Sequence, residues 1–161
     1  EFRRVLFRSG VCVVANLNSP GQVVVSGENG ALADCESRLA ARGAKRFVRL
    51  PVAGAFHSPV MSDAAERLAA DLEATPFANP RIPVVSNVTA GPVTTAEAAR
   101  ATLSRQVVSP VLFERSLRYL LAAGVQRMVE PGPGRTLKAF VRKIDRDAVV
   151  DGYDAVSDIT L

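Results

Sequence analysis

"VQRMVEPGPGRTLKAFVRKI", residues 125–144, sets a strand, a glycine turn and a helix in direct succession. The run from Val125 ends at Pro131, and Gly132 and Gly134 supply the turn. From Gly134 to Ile144 the pattern is helical. Strands alternating with helices in this way argue for an α/β architecture with some parallel sheet.

The neighbouring segments extend the pattern. "IPVVSNVTA" (82–90) is a nearly continuous β-branched run near prolines and predicts a strand buried on both faces. Helices are expected at about 95–106 and 110–123, and an irregular stretch over the last dozen residues. Towards the other end, "VCVVANLNSPGQVVVSG" (11–27) reads as two β-rich runs, Val11 to Ala15 and Gln22 to Ser26. The turn-forming Asn18-Ser19-Pro20-Gly21 joins them. "ALADCESRLAAR" (31–42) has helical spacing with Gly43 as its stop, and "KRFVRLPV" (45–52) predicts a short edge strand. Ser58 and Pro59 suit the first turn of a helix running to Thr75, with Val60, Ala64, Leu68 and Leu72 inward.

Composition narrows the function. The 161 residues are 48% hydrophobic and 22% charged, enough for one packed core of ordinary domain size. No apolar run approaches the ~20 residues that span a bilayer, and no basic-then-apolar signal opens the chain, so a soluble cytoplasmic protein is expected. Cys12 and Cys35 are too far apart for a C-x-x-C motif, and a single histidine cannot complete a histidine-cysteine zinc site, so no metal is expected. The leader "EFRRVLFRS" (1–9) resembles the translation of a sequencing adapter and carries +2 of the formal +4 charge. With the remaining basic residues scattered, aromatics at 6% and no tryptophan, nucleic-acid binding is not expected.

One residue stands out chemically. His57, in "LPVAGAFHSPVM" (50–61), is the only histidine and is placed just outside a helix N-terminus, where a neutral ring able to accept a proton is favoured. It suits a general base, although a lone histidine in an apolar segment is more often structural. No G-x-S-x-G occurs in the chain, Ser26 lies in "VVVSG", Ser58 is engaged in capping, and neither cysteine lies in an activating segment. "PGPGR" (131–135) could cradle a phosphate but lacks the lysine and spacing of a P-loop, which favours a plain turn into a helix. "AKRFVR" (44–49) is a small basic edge, either a solvated face or a contact for an acidic protein. The residues alone therefore offer a base with nothing to deprotonate.

Taken together, "ANLNSPGQVVVSG", "AKRFVRLPVAGAFHSPVM", "PVVSNVTAGPV", "RQVVSPVLFERSL" and "VEPGPGRTLKAF" resemble, in order and spacing, the C-terminal half of bacterial malonyl-CoA:acyl carrier protein malonyltransferases. The resemblance implies part of an α/β-hydrolase-like large subdomain (53–146), part of an inserted ferredoxin-like small subdomain (10–52) and an irregular tail (147–161). It implies a serine acyltransferase of fatty acid biosynthesis acting on malonyl-CoA and acyl carrier protein, cytoplasmic, cofactor-free, and monomeric when whole. In that family the histidine matched by His57 activates the nucleophile, and the glutamine matched by Gln106 orients the imidazole through its backbone carbonyl.

The same resemblance assigns further roles. Phe56 stands where malonyl-specific relatives carry phenylalanine, Asn18 would line the acyl or pantetheine channel, and Lys45 and Arg46 match a pair implicated in docking the carrier or the coenzyme phosphates. The nucleophile serine, the arginine that pairs with the malonyl carboxylate, and half the oxyanion hole belong upstream of the matched segment. The chain alone is accordingly expected to be inactive, with apolar edges such as "VCVVA" and "PVVSNV" exposed. Two other readings compete: an acyltransferase domain of a polyketide synthase, and a non-catalytic carrier-binding module in which His57 is structural.

Overall fold

The computed structural model describes residues 10–155, so the leader and the last six residues of the tail lie outside the described residues. The chain runs β1 (Cys12–Ser19), β2 (Gln22–Gly27), α1 (Asn29–Ala41), a 3-10 turn (Pro59–Met61), α2 (Ser62–Ala74), β3 (Val84–Val85) and β4 (Pro92–Val93). It continues with α3 (Ala96–Gln106), α4 (Phe113–Ala122), β5 (Arg127–Pro131), α5 (Thr136–Ile144) and β6 (Val149–Tyr153). The α/β class expected from the sequence is what these elements build.

β1 and β2 form the expected hairpin, closed by the pair Ser19 and Gln22 around Pro20-Gly21, where Gly21 takes a φ of +75° that suits glycine. The ladder is interrupted twice on β1, at Ala15 between Val14 and Asn16 and at Asn18 between Leu17 and Ser19. Each interruption sets two β1 steps against one on β2, the geometry of a bulge. At the first, the Ala15 carbonyl accepts the amide of Val111 (2.8 Å), and the Leu17 amide donates to the Val111 carbonyl (2.9 Å). The hairpin is thereby stitched to the segment that follows α3.

α1 covers the hairpin, burying Cys12, Ala31 and Cys35 with Val25, Leu32 and Leu39 around them. It ends as its sequence predicts: Gly43 has φ +89°, its amide donates to Ala40, and the Ala44 amide donates to Leu39, the paired bonds of a Schellman cap. A second core lies between α4, α5 and β6, where Leu117, Val141 and Val150 are buried. Phe113 meets Phe140 there edge to face, with ring centroids 6.0 Å apart. β5 and β6 run parallel, from Arg127 opposite Val149 to Pro131 opposite Tyr153, with α5 as the crossover.

Four expectations are corrected. Residues 45–52 form no strand: no described strand lies alongside to satisfy their backbone groups, and Val48, Leu50 and Val52 are exposed. The run 82–90 is not a buried strand but a tight hairpin, with Ile82 79% exposed. Pro83 has no amide to give, Ser86 turns the chain by accepting the Val88 amide, and Ala90 donates back to the Ser86 carbonyl. Within the segment expected to be an irregular tail, Val149–Tyr153 is strand β6, anchored by Val150 in the core and by Arg127 on Asp151. Val60 is exposed rather than inward, because the 3-10 turn at 59–61 delays α2 to Ser62 and changes the helical phase. Of the two apolar edges, "VCVVA" is covered at Cys12 and Ala15, whereas Val84 in "PVVSNV" is open to solvent.

Candidate active site

The site is built where the segment before α2 crosses the end of α3. Arg100 on α3 donates from Nε to the Leu72 carbonyl (3.1 Å) and from its terminal nitrogen to Thr75 (3.3 Å), capping the last turn of α2. Its guanidinium also lies over the Phe77 ring, 5.3 Å from the centroid. Thr95 caps the start of α3 through the Ala98 amide. These contacts fix α2 against α3, and hence the loop before α2 against the last turn of α3.

His57 sits in that loop. Its backbone amide donates to the Val107 carbonyl (2.9 Å), and its Nδ1 lies 2.9 Å from the Gln106 carbonyl oxygen, at the last residue of α3. A helix C-terminus leaves its final carbonyls without intrahelical partners, and this histidine uses two at that end. Because a carbonyl only accepts, Nδ1 of the neutral ring carries the hydrogen and Nε2 keeps its lone pair. The N-terminus anticipated beside His57 is one 3-10 turn capped by Ser58. The ring instead meets the C-terminal end of α3. His57 has a φ of +62°, a left-handed conformation uncommon outside glycine.

The expected residues fall into three groups. His57 and Gln106 are in contact, and the contact is through the backbone of Gln106, whose side-chain amide turns to the Ser109 carbonyl (3.4 Å). Phe56 is 47% exposed beside His57, with its ring packed near Gly54. Asn18 is half-buried at the second bulge of β1, two residues past Asn16, which bridges to Val111. Lys45 and Arg46 are exposed on the segment after α1, and among the described residues no hydrogen bond or ion pair joins them to His57.

Ser58 and the two cysteines are withdrawn from solvent. Ser58 is wholly buried, its hydroxyl donating to the Ala55 carbonyl (2.6 Å) and accepting the Val60 amide (3.3 Å). Cys12 and Cys35 are buried thiols, and burial, followed by the neighbouring Cys35, pushes the Cys12 pKa up to about 12. Among the described residues no group of three histidine, cysteine or acidic side chains could hold a metal ion. No helix there is long and apolar enough to cross a membrane.

Sequence reasoning missed Glu130. It is buried at the end of β5, and its two carboxylate oxygens accept the amides of Leu137 and Lys138, each at 2.9 Å, in the first turn of α5. Those are the amides a phosphate at "PGPGR" would need, so the plain turn into a helix is the better description. The available signal was an acidic residue immediately before a Pro-Gly-Pro-Gly return. Beyond it Arg135, Lys138, Ala139 and Arg142 line an open basic groove of about 480 Å³.

Comparison with known proteins adds to this geometry. Residues 4–156 match the acyl transferase domain family. The chain belongs to the acyl transferase family. Within it, a malonyl CoA-acyl carrier protein transacylase of Bacillus subtilis is 41% identical over 133 residues, covering 83% of this chain and 42% of that protein. The crystal structure of malonyl-CoA:acyl carrier protein transacylase from Xanthomonas oryzae superimposes with a TM-score of 0.88 at 35% identity, covering 93% of this chain and 48% of the other. A type II PKS acyl-carrier protein in complex with its malonyl-transacylase gives a TM-score of 0.89 at 34% identity, covering 94% and 49%. The chain thus spans about half the length of the acyl transferases it matches.

Proposed function

We propose that this chain supplies the general base of an acyl transferase that moves a malonyl group from malonyl-CoA to the phosphopantetheine thiol of an acyl carrier protein. The observation that carries the reading is the 2.9 Å contact between His57 Nδ1 and the Gln106 carbonyl, which aims an unprotonated Nε2 away from α3. Membership of the acyl transferase family and likeness to malonyl transacylases support the substrate class.

The chemistry follows from that ring. Nε2 takes the proton of a serine hydroxyl as its oxygen attacks the malonyl thioester carbonyl, and the Gln106 carbonyl stabilises the imidazolium that forms. The tetrahedral intermediate collapses with loss of the coenzyme A thiolate, which receives the proton from Nε2. In the second half the pantetheine thiol gives its proton to Nε2 and attacks the acyl-serine, and the serine oxygen leaves reprotonated. No cofactor takes part. With Ser58 sealed and no G-x-S-x-G present, the attacking serine is assigned to acyl transferase sequence outside these 161 residues, and this chain alone is assigned no transfer activity.

The finer roles belong to the same reading. A bulky ring at Phe56 crowds an α-methyl group, which favours malonyl over methylmalonyl. Asn18 lines the acyl or pantetheine channel, and Lys45 and Arg46 meet an acidic carrier or the coenzyme phosphates. The reaction is placed in cytoplasmic fatty acid biosynthesis. The likeness to a transacylase solved with a polyketide carrier supports a second setting for the same chemistry.

The test joins this chain to the remaining half of a malonyl transacylase and follows transfer by the intact masses of enzyme and carrier. His57→Ala should reduce transfer at least ~100-fold with the fold intact. Near-normal transfer would remove His57 from the mechanism. In the same assay Phe56→Ser should admit methylmalonyl-CoA, and unchanged selectivity would refute the role given to the ring.

A further inference from the structure

Ser58 is fully buried, and it flanks a histidine whose backbone is left-handed. A non-glycine residue in that region is strained and persists only when its surroundings over-determine it. Here the surroundings are short and specific. The Ser58 hydroxyl donates to Ala55 on one side of His57 at 2.6 Å and accepts from Val60 on the other at 3.3 Å. The Ser58 carbonyl accepts the Met61 amide at 3.1 Å, while the His57 amide is tied to Val107 at 2.9 Å.

We propose that Ser58 is a positioning residue for His57: its hydroxyl clasps the backbone before and after the histidine and holds the ring with Nδ1 on the Gln106 carbonyl. The proposal deepens the reading of His57 as the base and rests on it. Without the clasp, a negative φ becomes accessible at His57, and the ring swings off the end of α3. The carbonyl then no longer selects the Nδ1–H form, so the free ring nitrogen and its direction are both lost. Exposed imidazoles favour the opposite tautomer or average between the two, which makes the tautomer a reading of the clasp itself.

His57 is the only histidine, so a long-range nitrogen–proton correlation spectrum of the ¹⁵N-labelled 161-residue chain contains one imidazole. In the unsubstituted chain the neutral ring should be Nδ1–H, with Nε2 at the unprotonated nitrogen position. Ser58→Ala should lose that preference, the two nitrogens moving towards averaged shifts, while helical circular dichroism stays. Gln106→Ala should keep it, because the acceptor is backbone. An Nε2–H or averaged ring in the unsubstituted chain, or an unchanged Nδ1–H ring in Ser58→Ala, overturns the proposal. If Ser58→Ala costs the whole fold, Ser58→Thr decides: a folded chain with the Nδ1–H ring supports the clasp, and a folded or unfolded chain without it overturns the clasp. The spectrum requires no acyl transfer, so a failure of malonyl transfer and a failure of the clasp are read separately.

Discussion

His57 is held by the last carbonyl of α3, and Glu130 by amides in the first turn of α5. The first was legible in the sequence as an isolated imidazole in a glycine-flanked loop, and the resemblance pointed to Gln106 as its neighbour. The left-handed φ was not legible, because it is imposed by contacts with Ala55, Val60 and Val107 rather than by any preference of histidine strong enough to read. Glu130 was invisible because its partners lie seven and eight residues on, across a turn whose glycines let the chain double back. Cys12 offers a residue-scale test. Its folded pKa of about 12 lies above the ordinary 9.0, so its contribution to stability is complete below pH 9 and is lost between about pH 9 and 12, as the unfolded thiol ionises first. The unfolding midpoint should therefore fall more steeply with pH above 9 in the native chain than in Cys12→Ala, and parallel profiles would refute the burial argument.

At the scale of elements, helices were read more accurately than strands, for a physical reason. A helix satisfies its own backbone, so Thr95 and Gly43 mark ends that the fold keeps. A strand exists only if a neighbour supplies the other half of its ladder. The alternation at 45–52 lacks such a neighbour among the described residues and the β-branched run at 82–90 finds only the two-residue partner Pro92–Val93, whereas 149–153 finds a full one in β5. The start of α5 depends on a carboxylate from that same β5. Glu130→Ala should therefore cost about 1–3 kcal/mol, read from urea unfolding at constant slope. Equal midpoints would show that the two amide bonds add nothing to the folded state.

At the scale of the whole molecule, the described residues form two small cores and leave much apolar surface uncovered. Val48, Leu50, Val52, Ile82, Val84, Val129 and Val149 are all more than half exposed. Exposed apolar area of this kind drives association. Sedimentation should show reversible oligomers of this chain at micromolar concentration, diminished when Ile82 and Val84 are both changed to Lys, and a monomer insensitive to those changes would refute the association. The two cores meet where α4 and α5 pack on β1, and the bulge at Ala15 adds a bond there by turning one carbonyl out of the hairpin to meet Val111. A hairpin shortened by that one residue would be more regular, yet it would lose this attachment and slip the preceding side chains to the opposite face. β1 should therefore tolerate exchange of its valines far better than any insertion or deletion between Val14 and Asn16: the count of residues there is itself a structural requirement.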